Sequence, residues 1–298
     1  MTARPARPTR TGEDVFASIL DVIDVEEIAP DTYTAGSLPH FNRRIYGGQV
    51  LAQSIVAASR TVPAGRFAHS VHGYFLRPGN LDVPITLAVE ELRDGRSFSA
   101  RRTHALQDGV PILSLIVSFQ EEQPGLEHIQ EAPPQVPPPE GLASSTDLFP
   151  ALRMPAEYAA PGGAFDVRHV EPALYTAPDP QRRDNQAMWL RATGALPSHA
   201  DRNLKAALLA YACDQALLEP VLRAHGLSWS SPDLSVASID HAMWWHREVD
   251  VTQWLLFVQD SPAAIGARGL GTARVYTRDG TLVASIAQEG LVRTPPRS

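Results

Sequence analysis

Residues 46–60, YGGQVLAQSIVAASR, read as a helix that starts at the pair Gly47-Gly48 and is closed off behind by Pro63. Four β-rich runs follow: FAHSVHGYFL (67–76), DVPITLAVEELRDG (82–95), RSFSARRTHALQDG (96–109) and VPILSLIVSFQ (110–120). Gly, Pro and two Asp-Gly turns punctuate them, the signature of hairpins. The same order returns in the second half. ALLAYACDQALLEP (207–220) predicts one apolar helix, and LSVASIDHAMWWH (234–246), TQWLLFVQDS (252–261), GARGLGTARVYTRDG (266–280) and TLVASIAQEGLV (281–292) predict four strands. Chemically similar turns recur as LQDGVPILS (106–114) and TRDGTLVAS (277–285). One helix followed by a strand meander, twice, predicts an α+β chain in which an antiparallel sheet curls round each helix.

The chain has 298 residues, near two domains' worth, and 44% of them are apolar. Between the halves, EEQPGLEHIQEAPPQVPPPE (121–140) places five prolines in the seven positions 133–139. Such a segment is stiff and extended and reads as a linker running on toward residue 185. The formal net charge of −7 argues against a broad grip on nucleic acid or an acidic membrane. Between Arg43 and Arg102, however, nine arginines face four acids. They read either as a solvated surface or as a local site for an anionic ligand such as a phosphate. Cys213 is the single cysteine, so no intrachain disulfide can form, and it reads as a packed thiol. The N-terminal MTARPARPTR reads as a frayed tail, and the longest apolar run, near ILSLIVSF, is too short to cross a bilayer. These features predict a soluble, cytoplasmic protein without membrane insertion.

Asp214 is the one charge inside an otherwise apolar or aromatic helical face, with Ala207, Ala210, Tyr211, Leu217 and Leu218 as its neighbours at helical spacing. An unpaired buried charge is costly, so that carboxylate needs a partner or a task. The run YGGQVLAQSIVAA with HSVHGYFLRPG and DGRSFSARR, followed by ASIDHAMWWHR and DGTLVASIAQEGLVR, resembles the acyl-CoA thioesterase II family. The resemblance covers most of residues 15–125 and 186–294. It implies two fused hotdog domains, each a long helix wrapped by a curved antiparallel β-sheet. The corresponding division is a tail over 1–14, an N-terminal hotdog domain over 15–125, a Pro-rich linker over 126–185, and a C-terminal hotdog domain over 186–298 carrying the catalytic residues.

Hydrolysis of a thioester needs an activated water, donors for the developing oxyanion, and a leaving thiolate. A thiol of pKa about 8.5 leaves without a strong acid behind it, so the task reduces to aiming and deprotonating water. A desolvated carboxylate suits that task. Matched motif to motif, the resemblance implies Asp214 as base, with Ser238 in VASIDH and Gln288 in VASIAQEG holding the water. The family's bacterial members usually carry threonine where Ser238 stands; serine keeps the donor and acceptor but loses the β-branch that restricts χ1.

On strict strand alternation Ser238 shares a face with Val236, Asp240 and Ala242, and Gln288 with Leu282, Ala284 and Ile286. Purely structural roles stand beside the catalytic ones: Asp214 accepting from a neighbouring strand, Ser238 an incidental small residue, Gln288 tying down a loop. Gly47 and Gly48 either offer free backbone N–H groups to an oxyanion or let sheet and helix pack closely. His69 is a lesser candidate for a substrate or oxyanion contact. It lies three positions from His72, hence on the opposite face, as His241 does from His246 after one further alternation. Neither pair reads as a chelate, so no metal and no cofactor is expected. GxSxG and P-loop motifs are absent from the sequence, and GLGTAR (269–274) leads into a strand. The resemblance therefore implies an acyl-CoA hydrolase releasing fatty acid and CoA, self-associating through its sheets. A hydratase acting on enoyl-CoA and a non-catalytic acyl-CoA sensor are the alternatives.

Overall fold

The computed structural model describes residues 11–40, 43–129, 132–148 and 163–294. Helix α1 (Gly12–Ile23) precedes strands β1 (Glu26–Ala29) and β2 (Thr32–Ala35). Thr11 and Asp14 close a capping box at its start, and Phe16, Ile19 and Ile23 bury its apolar face. Helical order thus begins inside the stretch 1–14 read as a tail, of which residues 1–10 lie outside the described residues.

Helix α2 (Gly47–Ser59) forms where the opening stretch predicts it and is buried almost all round, as a helix without a polar face must be. Its partner α3 (Arg202–Cys213) is buried at nine of twelve positions and is started by Asp201, which accepts from the Leu204 N–H at 2.7 Å. The start of α2 lies against the end of α3. A methyl group on Gly48 would overlap the Tyr211 carbonyl oxygen, and the Tyr46 hydroxyl donates to that same oxygen at 2.7 Å. Small residues are what allow two backbones this close.

Around α2 run β3 (Phe67–Phe75), β4 (Ile85–Asp94), β5 (Phe98–Gln107) and β6 (Val110–Gln120). Around α3 run β7 (Phe165–His169), β8 (Asn185–Ala192), β9 (Ser235–Ser238), β10 (Asp240–Trp245), β11 (Leu255–Ile265), β12 (Arg268–Thr277) and β13 (Leu282–Arg293). A short helix α4 (Glu219–Ala224) follows α3. Every pairing is antiparallel, in the order β1-β2-β4-β5-β6-β3-β10-β13-β12-β11-β8-β7, with β9 also on β13. The α+β class with its antiparallel sheet is therefore observed. In each half the last strand pairs with a strand that follows the central helix, β6 with β3 and β13 with β10. β3 and β10 also pair with each other, Asp240 opposite Tyr74 through Trp244 opposite Ser70. The seam makes one sheet of both halves.

Three local departures from the sequence reading matter. The stretch 207–220 is not one helix: α3 stops at Cys213, Asp214 caps it, and the chain turns before α4. Glycines explain where the turn settles, because a Cβ on Gly271 would overlap the Leu217 carbonyl and one on Gly290 would overlap the Leu218 side chain. The stretch 234–246 is likewise two strands. Ser238 pairs with Gly290 and Ala242 with Ala287, so four steps on one strand match three on the other. That is a β-bulge at Ile239, a device that re-aims side chains. Finally, β7 lies inside the stretch 126–185 read as linker, and it pairs with β8. The Pro-rich segment before it runs along the sheet, where the Trp189 indole donates to the Pro137 carbonyl at 2.9 Å.

Candidate active site

The turn after α3 brings Asp214 beside the bulge. Ser238 Oγ donates to Asp214 Oδ1 at 3.0 Å, and Gln288 Nε2 donates to Ser238 Oγ at 2.8 Å. Three segments far apart in sequence thus meet in a chain of hydrogen bonds. Asp214 and Ser238 are half-buried, whereas Gln288 is fully buried behind them. The expectation of an acid sunk within a helix is corrected accordingly: Asp214 stands at a helix end, with a side reachable from solvent.

Gly47 faces the carboxylate. A Cβ built there would lie 2.5 Å from Asp214 Oδ2, so the absent side chain is what admits the acid. As the first residues of α2, Gly47 and Gly48 have N–H groups without an acceptor one turn back, and the positive end of the helix dipole faces the Asp214 charge. Close packing and exposed donors thus coexist at this pair. Burial first, and then the Asp214 charge, push the Tyr46 hydroxyl and the Cys213 thiol well above their ordinary ranges. Cys213 is accordingly a packed thiol with little thiolate to offer as a nucleophile.

His69 is not brought to this cluster. Its Nε2 pairs with Ser118 Oγ at 2.8 Å and its ring meets Phe98 edge-on, on the sheet face away from the helices. His72 is exposed, against Trp244. His241, by contrast, is fully buried beside the cluster, its Nδ1 2.7 Å from Gln288 Oε1. Strict alternation set Ser238 with Asp240 and Ala242; the bulge instead turns Ser238 to the side that holds His241.

The arginines between 43 and 102 are largely engaged within the protein. Arg101 is fully buried and donates to Asp94 at 2.8 Å and Glu91 at 3.2 Å, Arg66 reaches Ser99 and the Gly95 carbonyl, and Arg102 pairs with Glu90 at 3.0 Å. Hydrogen bonds from Arg101 and then Ser99 hold the Asp94 carboxyl below its usual range. Neither a simple solvated face nor a ready-made anion site describes this group; Arg66 and Arg101 tie strand ends together. A second buried network anchors α4, just beyond Asp214. Glu219 of α4 accepts from Trp229 at 2.9 Å and from Gln186 at 2.7 Å, and Arg223 pairs with Asp179 at 2.7 Å.

A family profile described as Acyl-CoA thioesterase matches residues 169–291, and one described as Acyl-CoA thioesterase N-terminal domain matches residues 34–120. Acyl-coenzyme A thioesterase 8 of Homo sapiens is 33% identical over 291 residues, spanning 94% of this chain and 90% of its own. The chain belongs to the acyl-CoA thioesterase II family. It is a hydrolase acting on thioesters. Acyl-CoA thioesterase 2 of Haemophilus influenzae is also 33% identical, over 287 residues covering 94% of this chain and 98% of that one. Among solved structures, acyl-CoA thioesterase II TesB2 from Mycobacterium marinum superposes with a TM-score of 0.77 at 38% identity, covering 93% of this thioesterase and 99% of that chain. Among the described residues no helix is long and apolar enough to cross a membrane.

Proposed function

We propose that this thioesterase hydrolyses fatty acyl-CoA to a free fatty acid and CoA, with Asp214 as the base and Ser238 and Gln288 placing the water. The observation that carries the reading is the chain from Gln288 through Ser238 to Asp214 Oδ1, which leaves Oδ2 facing the start of α2. Water donates to Oδ2, and its oxygen attacks the thioester carbonyl carbon as the proton passes to the carboxylate. Gln288, buried behind the cluster, acts on that water through the Ser238 hydroxyl that it holds in place. The Gly47 and Gly48 N–H groups take the developing oxyanion. When the tetrahedral intermediate collapses, the C–S bond breaks and the CoA thiolate leaves, recovering the proton from Asp214. The products are one carboxylic acid and one thiol, and the enzyme returns to its starting state without a cofactor.

The twice-repeated order of a buried helix and an antiparallel strand meander supports reading the halves as two fused hotdog units, about 15–125 and 186–298. The enzyme is read as cytoplasmic and self-associating. The related chains favour neither the hydratase nor the sensor reading.

A thiol-trapping assay over a panel of acyl-CoA chain lengths tests the reaction directly. Ser238→Ala and Gln288→Ala are each expected to lower kcat by roughly tenfold to a hundredfold with KM nearly constant. An unchanged kcat with a weakened KM would move either residue to substrate binding.

A further inference from the structure

We propose that His241 is a positioning residue: its Nδ1–H donates to Gln288 Oε1 and so fixes which way the Gln288 amide points. The proposal rests on the assignment of Asp214, Ser238 and Gln288 made above, and adds the element that orients them. His241 lies on β10 opposite Gly73 of β3, at the seam between the halves. It is 1% exposed, with Nδ1 2.7 Å from Gln288 Oε1. Its Nε2 is buried and meets no hydrogen-bonding group among the described residues.

Two polarities of the chain can be written, and they are not equivalent. In the first, His241 Nδ1–H donates to Gln288 Oε1, Gln288 Nε2–H to Ser238 Oγ, and Ser238 O–H to Asp214 Oδ1. Every short contact then holds one proton, and the group left over is a bare imidazole nitrogen. With the amide turned over, Gln288 would donate to Nδ1 and accept from Ser238. That hydroxyl would have no proton for Asp214, setting two acceptor oxygens 3.0 Å apart, and an Nε2–H donor would be stranded in the interior. Buried donors without acceptors are the rarer and costlier defect. The first polarity therefore prevails, and a fixed Nδ1 proton on His241 enforces it.

Burial lowers the imidazole's pKa, with Gln288, Asp214 and Asp240 pulling the other way. The neutral ring that results carries one proton, and the position of that proton decides the direction of the whole chain. Without it the amide is free to rotate, and the Ser238 hydroxyl is no longer held toward Asp214. The imidazole itself touches neither substrate nor water.

The test uses tautomers and exchanges of side chain. In the wild-type protein, ¹⁵N NMR of the imidazole should show the Nδ1–H tautomer; an Nε2–H tautomer would overturn the proposal. His241→Asn keeps an N–H close to the Nδ1 position and should retain kcat within about threefold, whereas His241→Asp and His241→Leu lose the donor and should lower kcat by roughly tenfold or more with KM little changed. In a Gln288→Ala background, His241→Leu should cost less than about twofold further, because its effect passes through Gln288. Equal losses in both backgrounds, or full activity in His241→Leu, would overturn it. Should the Leu variant fail to melt cooperatively, the Asn and Asp variants and the wild-type tautomer decide. If Asp214→Asn retains activity, the underlying assignment fails; if it is inactive while His241→Asp is fully active, only this inference fails.

Discussion

Asp214→Asn is expected to lower kcat for acyl-CoA hydrolysis by about 10³-fold, within the range a positioned general base contributes, while substrate binding persists. The substitution is close to isosteric. An asparagine keeps an oxygen for the Ser238 hydroxyl, which donates at 3.0 Å, so the hydrogen-bonded chain survives in outline. What it lacks is an atom able to take a proton at the Oδ2 position, where an amide N–H would now meet the N–H groups at the start of α2. Thiol release measured against acyl-CoA binding separates the two effects, and full turnover would remove Asp214 from the role. Gly47→Ala probes the same geometry from the other side. Its Cβ would fall 2.5 Å from Oδ2, so the carboxylate must shift. Since a misplacement of about 1 Å costs as much as a hundredfold, a loss of roughly tenfold to a hundredfold is expected.

Why these residues were legible in the sequence, and others were not, is set by the kind of information periodicity can carry. The order of elements was readable because α2 carries no charged residue and the strands alternate between turn signals. Asp108 and Gly109 adopt positive φ values of 50° and 75°, the two-residue hairpin that Asp-Gly predicts. Asp214, Ser238 and Gln288 were found through motif resemblance, which is indifferent to exact secondary structure. The helix break at Asp214 was not legible, because no Gly or Pro interrupts residues 207–219. Its cause lies elsewhere in the chain, in Gly271 and Gly290, whose missing side chains seat the turn. His241 was missed for a related reason. A bulge of one residue at Ile239 changes which positions share a face, and nothing in VASIDH marks it. The arginines misled by composition alone: Arg66 and Arg101 have their acids supplied by Glu91, Asp94 and Glu121, partners that charge counting cannot assign.

Gly271→Ala is expected to cost about 3 kcal/mol of stability, at the upper end for overpacking, and to lower kcat as well. The side chain it introduces would overlap the carbonyl oxygen of Leu217, a backbone atom that cannot swing aside as a flexible side chain can. Relief requires moving the turn between α3 and α4 away from the sheet. That turn begins at Asp214, and Gly271 is the cross-strand partner of Gln288, so the strain enters between the acid and the amide that must stay aligned through Ser238. Movement of the turn is further opposed by α4, which Glu219 and Arg223 hold through buried contacts to Gln186 and Asp179. A lowered melting temperature, by roughly 5 °C or more, should therefore accompany a kcat loss that persists well below the transition, where the protein is folded. Gly125→Ala is the control, because nothing lies within 4 Å of the added carbon there. Loss of stability with unchanged kcat would mean that the turn can move without carrying Asp214 with it, and that the acid is held by Ser238 and the α2 terminus alone.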